Sequence, residues 1–544
     1  MGVQGAGVQS TTLPRVARWA KVIDQNKCIG CHACTVACKA EHGVALGVTR
    51  TYVKQVEVGR WPNVRRQFQV TRCNQCDRPP CVDICPVTAM YRRPDGIVDF
   101  DRDVCIGCKA CIAACPYDAI YIDPVSRSAE KCNFCAHRID LGLEPACVVV
   151  CPERAIIVGD LDDPASEVSQ RLGSQKAAVR KPEKGTDPKL FYVDAGTFTL
   201  VPGEVQVAAI HAYAQQREAY PEVAWAAGGG DSVAAPAWAA VDGAWPQPPA
   251  RDGGRPAAAA ILAYDVPHGP PWDWRVSGYT WTKSIAAGAY LLPALAGLFG
   301  IQVAGAWGLV STLVALAFLG LTGLLLIADL KHPERFWTIL TRPQWKSWLA
   351  RGAYLITLYG LLLGADLLGR WLGLQPLVAA LRLPGVGLSV LVAVYTAFLF
   401  AQAKARDLWQ NPALPLHLLA QAVVAGCAAL LIQSVWVPGG GQAGEFLRWA
   451  FAAGLAVHLA FALGEVALPH PTADGARAAR QMAAGAFRWH YRGGLLAAAA
   501  ALALVAAGGG AGPGWVVAAS VVALLGLLAY EHAYVQAGQS VPLS

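Results

Sequence analysis

The chain runs to 544 residues, too many for one ordinary domain, and its composition changes part-way along. Hydrophobic residues make up 54% and charged residues 15%; the polar, mixed sequence up to about residue 200 gives way to long Leu-, Ala- and Gly-rich runs from about 279. A net charge of +7 is too modest for a nucleic-acid footprint and is read as local compensation for anionic groups and as membrane flanks, so no nucleic-acid partner is expected.

Met1 to Asn26 holds no apolar core of signal-peptide length, and Arg15 and Arg18 are too far apart for a twin-arginine pair. Nothing there is expected to export the polar half.

Sixteen of the seventeen cysteines then fall between Cys28 and Cys151, in four groups of four. The first is Cys28, Cys31, Cys34 and Cys38; the second is Cys73, Cys76, Cys81 and Cys85. The third is Cys105, Cys108, Cys111 and Cys115; the fourth is Cys132, Cys135, Cys147 and Cys151. Groups one and three have C-x2-C-x2-C-x3-C spacing, and every group but the first is followed by proline. Three thiolates at three-residue steps wrap one corner of an iron–sulfur cube, and the fourth comes from elsewhere; in two-cluster ferredoxins the last Cys of each run serves the other cluster. The reading is four [4Fe–4S] clusters. Zinc would use paired C-x2-C units and leave a third cysteine at the same step without a role. A disulfide framework would have to reproduce ferredoxin spacing twice by accident.

Residues 15–200 are therefore expected to form an α+β ferredoxin-like four-cluster domain, its two halves each carrying a pair of cysteine groups as after a duplication. Gly159 to Asp194 carries turn and cap signals before a short helix. Residues 201–260, rich in Ala, Gly and Pro with scattered Trp, read as a linker laid against the domain by its tryptophans. Residues 261–544 read as an all-α integral membrane bundle of about eight transmembrane helices, near 281–301, 305–329, 350–370, 385–403, 413–434, 446–468, 493–509 and 513–533. One such run could be a buried helix of a soluble bundle; eight in series could not.

Eight spans put both ends of the membrane half on the cysteine-rich side. That face carries eleven Lys and Arg, from Lys331 to Arg492, against Arg370, Arg382 and Arg448 opposite. The positive-inside rule then makes the cluster side cytoplasmic, in a prokaryotic inner membrane.

Ionisable residues inside spans are costly and mark function by default. Lys283 is expected at the start of span one, Asp329 at the end of span two, His417 at the start of span five and Glu465 at the end of span six, all near the cluster side. Tyr395 lies deeper in span four, and His458 two turns before Glu465. Individually each could be a snorkelling or capping residue, with Asp329 simply paired to Lys331 or Arg335. Together, a cation, an aromatic and a histidine beneath an electron-delivering domain suit a quinone head group, which must be hydrogen-bonded at its oxygens and protonated on reduction. Asp366, with His458 and Glu465, could belong to a proton path, and Cys427 reads as packing.

The four cysteine groups and Gly159-Asp-Leu-Asp-Asp-Pro164 resemble the four-cluster iron–sulfur subunit of the molybdopterin oxidoreductases, the dimethyl sulfoxide reductase family. The second half resembles the NrfD/polysulfide-reductase membrane subunit. The matching stretches are Trp281-Thr-Lys-Ser-Ile-Ala-Ala-Gly288, Asp329-Leu-Lys-His-Pro-Glu-Arg-Phe-Trp337, Tyr395-Thr396 and the terminal Ala537-Gly-Gln-Ser-Val-Pro-Leu-Ser544. The two subunits look fused.

The resemblance implies a ligand assignment. Cys28, Cys31 and Cys34 pair with Cys151, and Cys132, Cys135 and Cys147 pair with Cys38. Cys73, Cys76 and Cys81 pair with Cys115, and Cys105, Cys108 and Cys111 pair with Cys85. It implies too that the first of these clusters faces a catalytic partner and the last faces the membrane, with quinone contacts at Lys283 and Tyr395. Cys108, replaced in some relatives, is present; group one departs from the pattern in ending Cys38-Lys39.

The protein is thus read as a membrane-bound electron-transfer module passing electrons between a large catalytic subunit, molybdopterin-dependent, and menaquinone or ubiquinone. Lys283 and Tyr395 would bind the quinone, and His417, Asp329 and Glu465 would relay protons. The rivals are a ferredoxin on a passive anchor and a redox-driven proton pump.

Overall fold

The structure, a computed structural model, describes residues 17–60, 62–202, 205–207, 260–266, 269–301, 305–437, 441–507 and 513–543. Arg15 and nearly all of the stretch read as a linker fall outside them.

Two four-stranded sheets frame the cysteine-rich half. One runs Ile156–Asp160, Trp19–Asp24, Leu190–Val193, Ala177–Ala178; the other runs Gln206–Val207, Ala260–Tyr264, Thr51–Arg60, Asn63–Arg72. Ala260–Tyr264 pairs antiparallel with Thr51–Arg60, so the polar half extends past its expected end and the stretch read as a linker leaves and re-enters one sheet. The Ala-rich approach to Ile261 shows no alternation that would mark a strand.

Cys34 and Cys147 pack against strands of both sheets, whereas Cys76, Cys81, Cys85, Cys105, Cys111 and Cys115 share a separate core. In Cys28-Ile-Gly-Cys-His and Cys105-Ile-Gly-Cys-Lys, the glycine and the residue after the second cysteine both have positive φ: Gly30 71° and His32 59°, Gly107 69° and Lys109 62°. Two left-handed residues flanking the second cysteine curl the backbone so that thiols and N–H groups face a common centre. The helices Ala33–His42 and Ala110–Ala114 start directly afterwards and carry the third cysteine of each run.

Among the described residues the membrane half contains eight long helices: Trp274–Leu298, Gly305–Ala328, Trp348–Trp371, Gln375–Gln402, Leu414–Gln433, Gly441–Ala467, Arg488–Ala507 and Pro513–Gln539. The last seven, among the described residues, are long and apolar enough to cross a membrane. The first is the polar exception. Its Ser277, Thr280, Thr282, Lys283 and Ser284 are buried against other helices, where lipid cannot reach them. It therefore begins well before the expected 281, at an N-cap where Asp273 Oδ1 accepts from Arg275 N (2.8 Å). Lys283 is not at the mouth of the span but roughly 13 Å along it, at 1.5 Å per residue.

Spans one to four form one four-helix group and spans five to eight another, joined chiefly where span one crosses span five. Gly288 and Gly426 meet at that crossing: a Cβ on Gly288 would collide with the Ala422 carbonyl oxygen and with Gly426.

The two halves share a polar joint. Lys109 pairs with Asp329 at 2.8 Å, both nearly buried, and Lys184 pairs with Asp407. Arg335 Nη1 donates to the carbonyls of Arg102 and Cys105, and Lys331 N to Gly107 O (3.3 Å). Ser347 Oγ donates to Ile84 O at 2.6 Å, and Arg180 Nη2 to Leu543 O at 2.8 Å. Asp329 is thus tied neither to Lys331 nor to Arg335 but to a lysine 220 residues earlier, because the helix ends at Ala328 and turns it toward the other half. A Cβ on Gly107 would strike Lys331, so the cysteine turn and the loop after span two touch backbone to backbone.

Candidate functional site

All seventeen cysteines are free thiols, so the disulfide reading is removed. Cys28, Cys31, Cys34 and Cys151 line one cavity of about 340 Å³. Cys85, Cys105, Cys108 and Cys111 line a second, also about 340 Å³. Cys38 lies in the field of Cys132, Cys135 and Cys147, and Cys81 in that of Cys73, Cys76 and Cys115. The sets adjoin in series: the charge of Cys147 reaches Cys34, that of Cys132 reaches Cys73, and that of Cys81 reaches Cys111. Sulfurs spread round a cavity fit a cubane better than one bare ion, and among the described residues no three His, Cys, Asp or Glu side chains are grouped for a single metal.

The sulfurs differ in electrostatic setting. Burial pushes the Cys38 thiol up to about 12. Burial acts on Cys147 in the same sense but is outweighed by Arg72 and Lys21, which pull that thiol down to about 7. Arg72 Nη1 donates to Cys147 Sγ at 2.9 Å.

Beneath the joint lies a cavity of about 290 Å³, lined by Thr280, Phe400, His417, Gln421, Tyr530 and Glu531 among others. Trp272 connects it to the cysteines. Its Nε1 donates to Cys108 O at 3.1 Å, and its ring stacks on Phe400, a cavity wall, with centroids 6.1 Å apart.

The expected residues fall into separate places. Lys283 Nζ donates to Ala393 O (2.9 Å) and Thr396 Oγ1 (2.7 Å) and stands 5.0 Å over the Tyr395 ring, so spans one and four do bring these two together. His417 lines the cavity and its Nε2 lies 3.0 Å from His458 Nδ1. Glu465 accepts from Asn411 Nδ2 at 2.6 Å, one helix away. Asp329 belongs to the joint. The residue missing from the sequence reading is Glu531: fully buried in span eight, it lines the cavity and accepts from Thr280 Oγ1, and its Oε1 has no hydrogen-bond partner among the described residues. The rule that singled out Lys283 applies equally to Leu527-Leu-Ala-Tyr-Glu531, an acid near the end of an apolar run.

The family model described as polysulphide reductase, NrfD, matches residues 265–542, just over half of the chain. The chain belongs to the NrfD family. Two further models match the other half of this NrfD protein: a 4Fe-4S dicluster domain over 64–161 and a 4Fe-4S binding domain over 19–40. That half is 44% identical over 197 residues to a tetrathionate reductase subunit of Salmonella typhimurium, covering 35% of this chain and 79% of the relative. It is 44% identical over 179 residues to a polysulfide reductase chain of Wolinella succinogenes, 32% and 94% respectively, and 43% identical over 195 residues to Protein NrfC of Escherichia coli, 35% and 87%. This NrfD-family member is a multi-pass membrane protein that joins a [4Fe–4S]-binding, α+β ferredoxin-like domain to an NrfD bundle, and it is an oxidoreductase subunit.

Proposed function

We propose that the protein carries electrons through four [4Fe–4S] clusters between a separate, molybdopterin-dependent catalytic subunit and the quinone pool. The observation that carries this reading is the Trp272 bridge: through it, two aromatic side chains, Trp272 and Phe400, link the Cys85/Cys105/Cys108/Cys111 set to a cavity in the bundle. Each of the four sulfur sets would hold one cluster, and the bound clusters would supply one-electron carriers in series. The protein's own residues do the rest. Lys283, over the Tyr395 ring and one turn from the cavity wall at Thr280, would offer a hydrogen-bond donor to a quinone oxygen. His417 in the cavity wall, with His458 behind it, would hold a proton, and Glu465 would relay one further from the cavity. Asp329 is assigned to the joint rather than to a relay. The excess of Lys and Arg on the cluster side supports a cytoplasmic orientation of that domain in a prokaryotic inner membrane.

Anaerobically purified protein should contain about sixteen irons per chain, and a quinol should reduce its clusters within the dead time of slow mixing. A clearly smaller iron content, or clusters that only dithionite reduces, would remove this reading and favour the passive anchor.

Proton pumping has one specific feature in its favour. Asp366, fully buried toward the far face, accepts from Arg370 Nε (2.6 Å) and Thr312 Oγ1 (2.8 Å), and its Oδ1 has no hydrogen-bond partner among the described residues. Ser389 Oγ donates to Tyr359 OH (3.2 Å), and Tyr359 OH to Ala286 O (3.0 Å), one turn from Lys283. Under this reading, Asp366→Asn abolishes dye-detected proton movement in liposomes and leaves quinol-driven cluster reduction in detergent unchanged. Loss of neither, or of both together, would remove it.

A further inference from the structure

Arg72 ends the strand Asn63–Arg72, immediately before Cys73, and is 2% exposed. A guanidinium this deep ordinarily meets a carboxylate, because an unpaired buried charge is costly. Arg72 meets sulfur instead. Nη1 donates to Cys147 Sγ, and the charges that act most strongly on it are those of Cys147, Cys34 and Cys132. Its Nε and Nη2 have no partner among the described residues.

A second buried cation stands on the same sulfur set: Lys21 Nζ lies 3.8 Å from Cys147 Sγ. A ring nitrogen of His42 is 3.2 Å from Cys135 Sγ. The set nearest the membrane is built differently. Its sulfurs accept from the backbone N–H groups of Met90, Gly107 and Ala129, each at 3.4 Å, and the neighbouring cation Lys109 is neutralised by Asp329.

Reduction adds one negative charge to a group that is already anionic. A permanent cation at hydrogen-bond distance from a ligand, out of reach of water, stabilises the reduced form more than the oxidised one and raises the potential. We propose that Arg72, supported by Lys21, makes the cluster held by Cys38, Cys132, Cys135 and Cys147 the highest-potential carrier in the protein. A single electron on the chain rests there, second from the partner end, and no proton accompanies it. The inference depends on the four-cluster reading above.

The test is a potentiometric titration of the full-length protein in detergent, followed by electron paramagnetic resonance, with Arg72→Gln, Arg72→Lys and Lys21→Met beside the wild type. In Arg72→Gln the highest midpoint moves furthest to more negative potential, the cluster at Cys28, Cys31, Cys34 and Cys151 moves less, and the other two stay put; Arg72→Lys restores part of the shift. Lys21→Met moves the same midpoint less, and it serves as the test if Arg72→Gln loses iron. An unmoved highest midpoint at full iron content overturns the role of Arg72, as does a common shift of every midpoint. Far fewer than about sixteen irons in the wild type would instead overturn the four-cluster reading beneath it.

Discussion

Lys283→Met slows quinol-driven reduction of the clusters roughly 100-fold, the range expected for loss of a positioned proton donor. Iron content and the dithionite-reduced spectrum stay at wild-type values, because Lys283 touches no cysteine set. The side chain is fully buried, with two of its donors already held by Ala393 O and Thr396 Oγ1. Such a group is held in place before any ligand arrives. Methionine keeps the length and removes the donor, leaving Ala393 O and Thr396 Oγ1 without it at a cost of about 1–3 kcal/mol. A melting curve therefore accompanies the kinetics. Stopped-flow rates equal to wild type would show that the quinone, if it binds, does so away from span one.

Asp329→Ala opens the joint between the halves. It leaves Lys109, 9% exposed, as an uncompensated charge at a cost of about 3–5 kcal/mol. Hydrogen exchange should rise across residues 105–115 and the loop after Ala328, and electron delivery from quinol should fall although every cysteine is intact. The double variant Lys109→Met/Asp329→Leu should regain most of the lost stability, since an apolar pair of similar volume replaces a buried ion pair at little cost. Unchanged exchange in the single variant would mean that Arg335, Ser347 and Arg180 hold the joint by themselves.

The parts of this protein legible from its residues are those encoded over short stretches. Cys-x2-Cys-x2-Cys with a glycine before the second thiol sets a local curl, and positive φ at Gly30 and Gly107 realises it without help from the rest of the chain. Membrane spans are legible for the same reason, since lipid demands a continuous apolar run. That logic falters at span one, whose polar residues are shielded by neighbouring helices, so its true start at Trp274 is hidden. It falters again at Glu531, visible as an acid in an apolar run but meaningful only once span eight lies against Thr280 on span one.

Spacing and hydropathy alone thus sufficed for the iron–sulfur chemistry, the helical membrane half and their order along the chain. The tertiary structure was needed to show that Asp329 is a strut to Lys109, that Trp272 links Cys108 to a cavity, and that Arg72 faces sulfur rather than a carboxylate. These pairs lie 220, 164 and 75 residues apart. Which distant segments meet is decided by packing of whole helices and sheets, and no local period in the sequence records it.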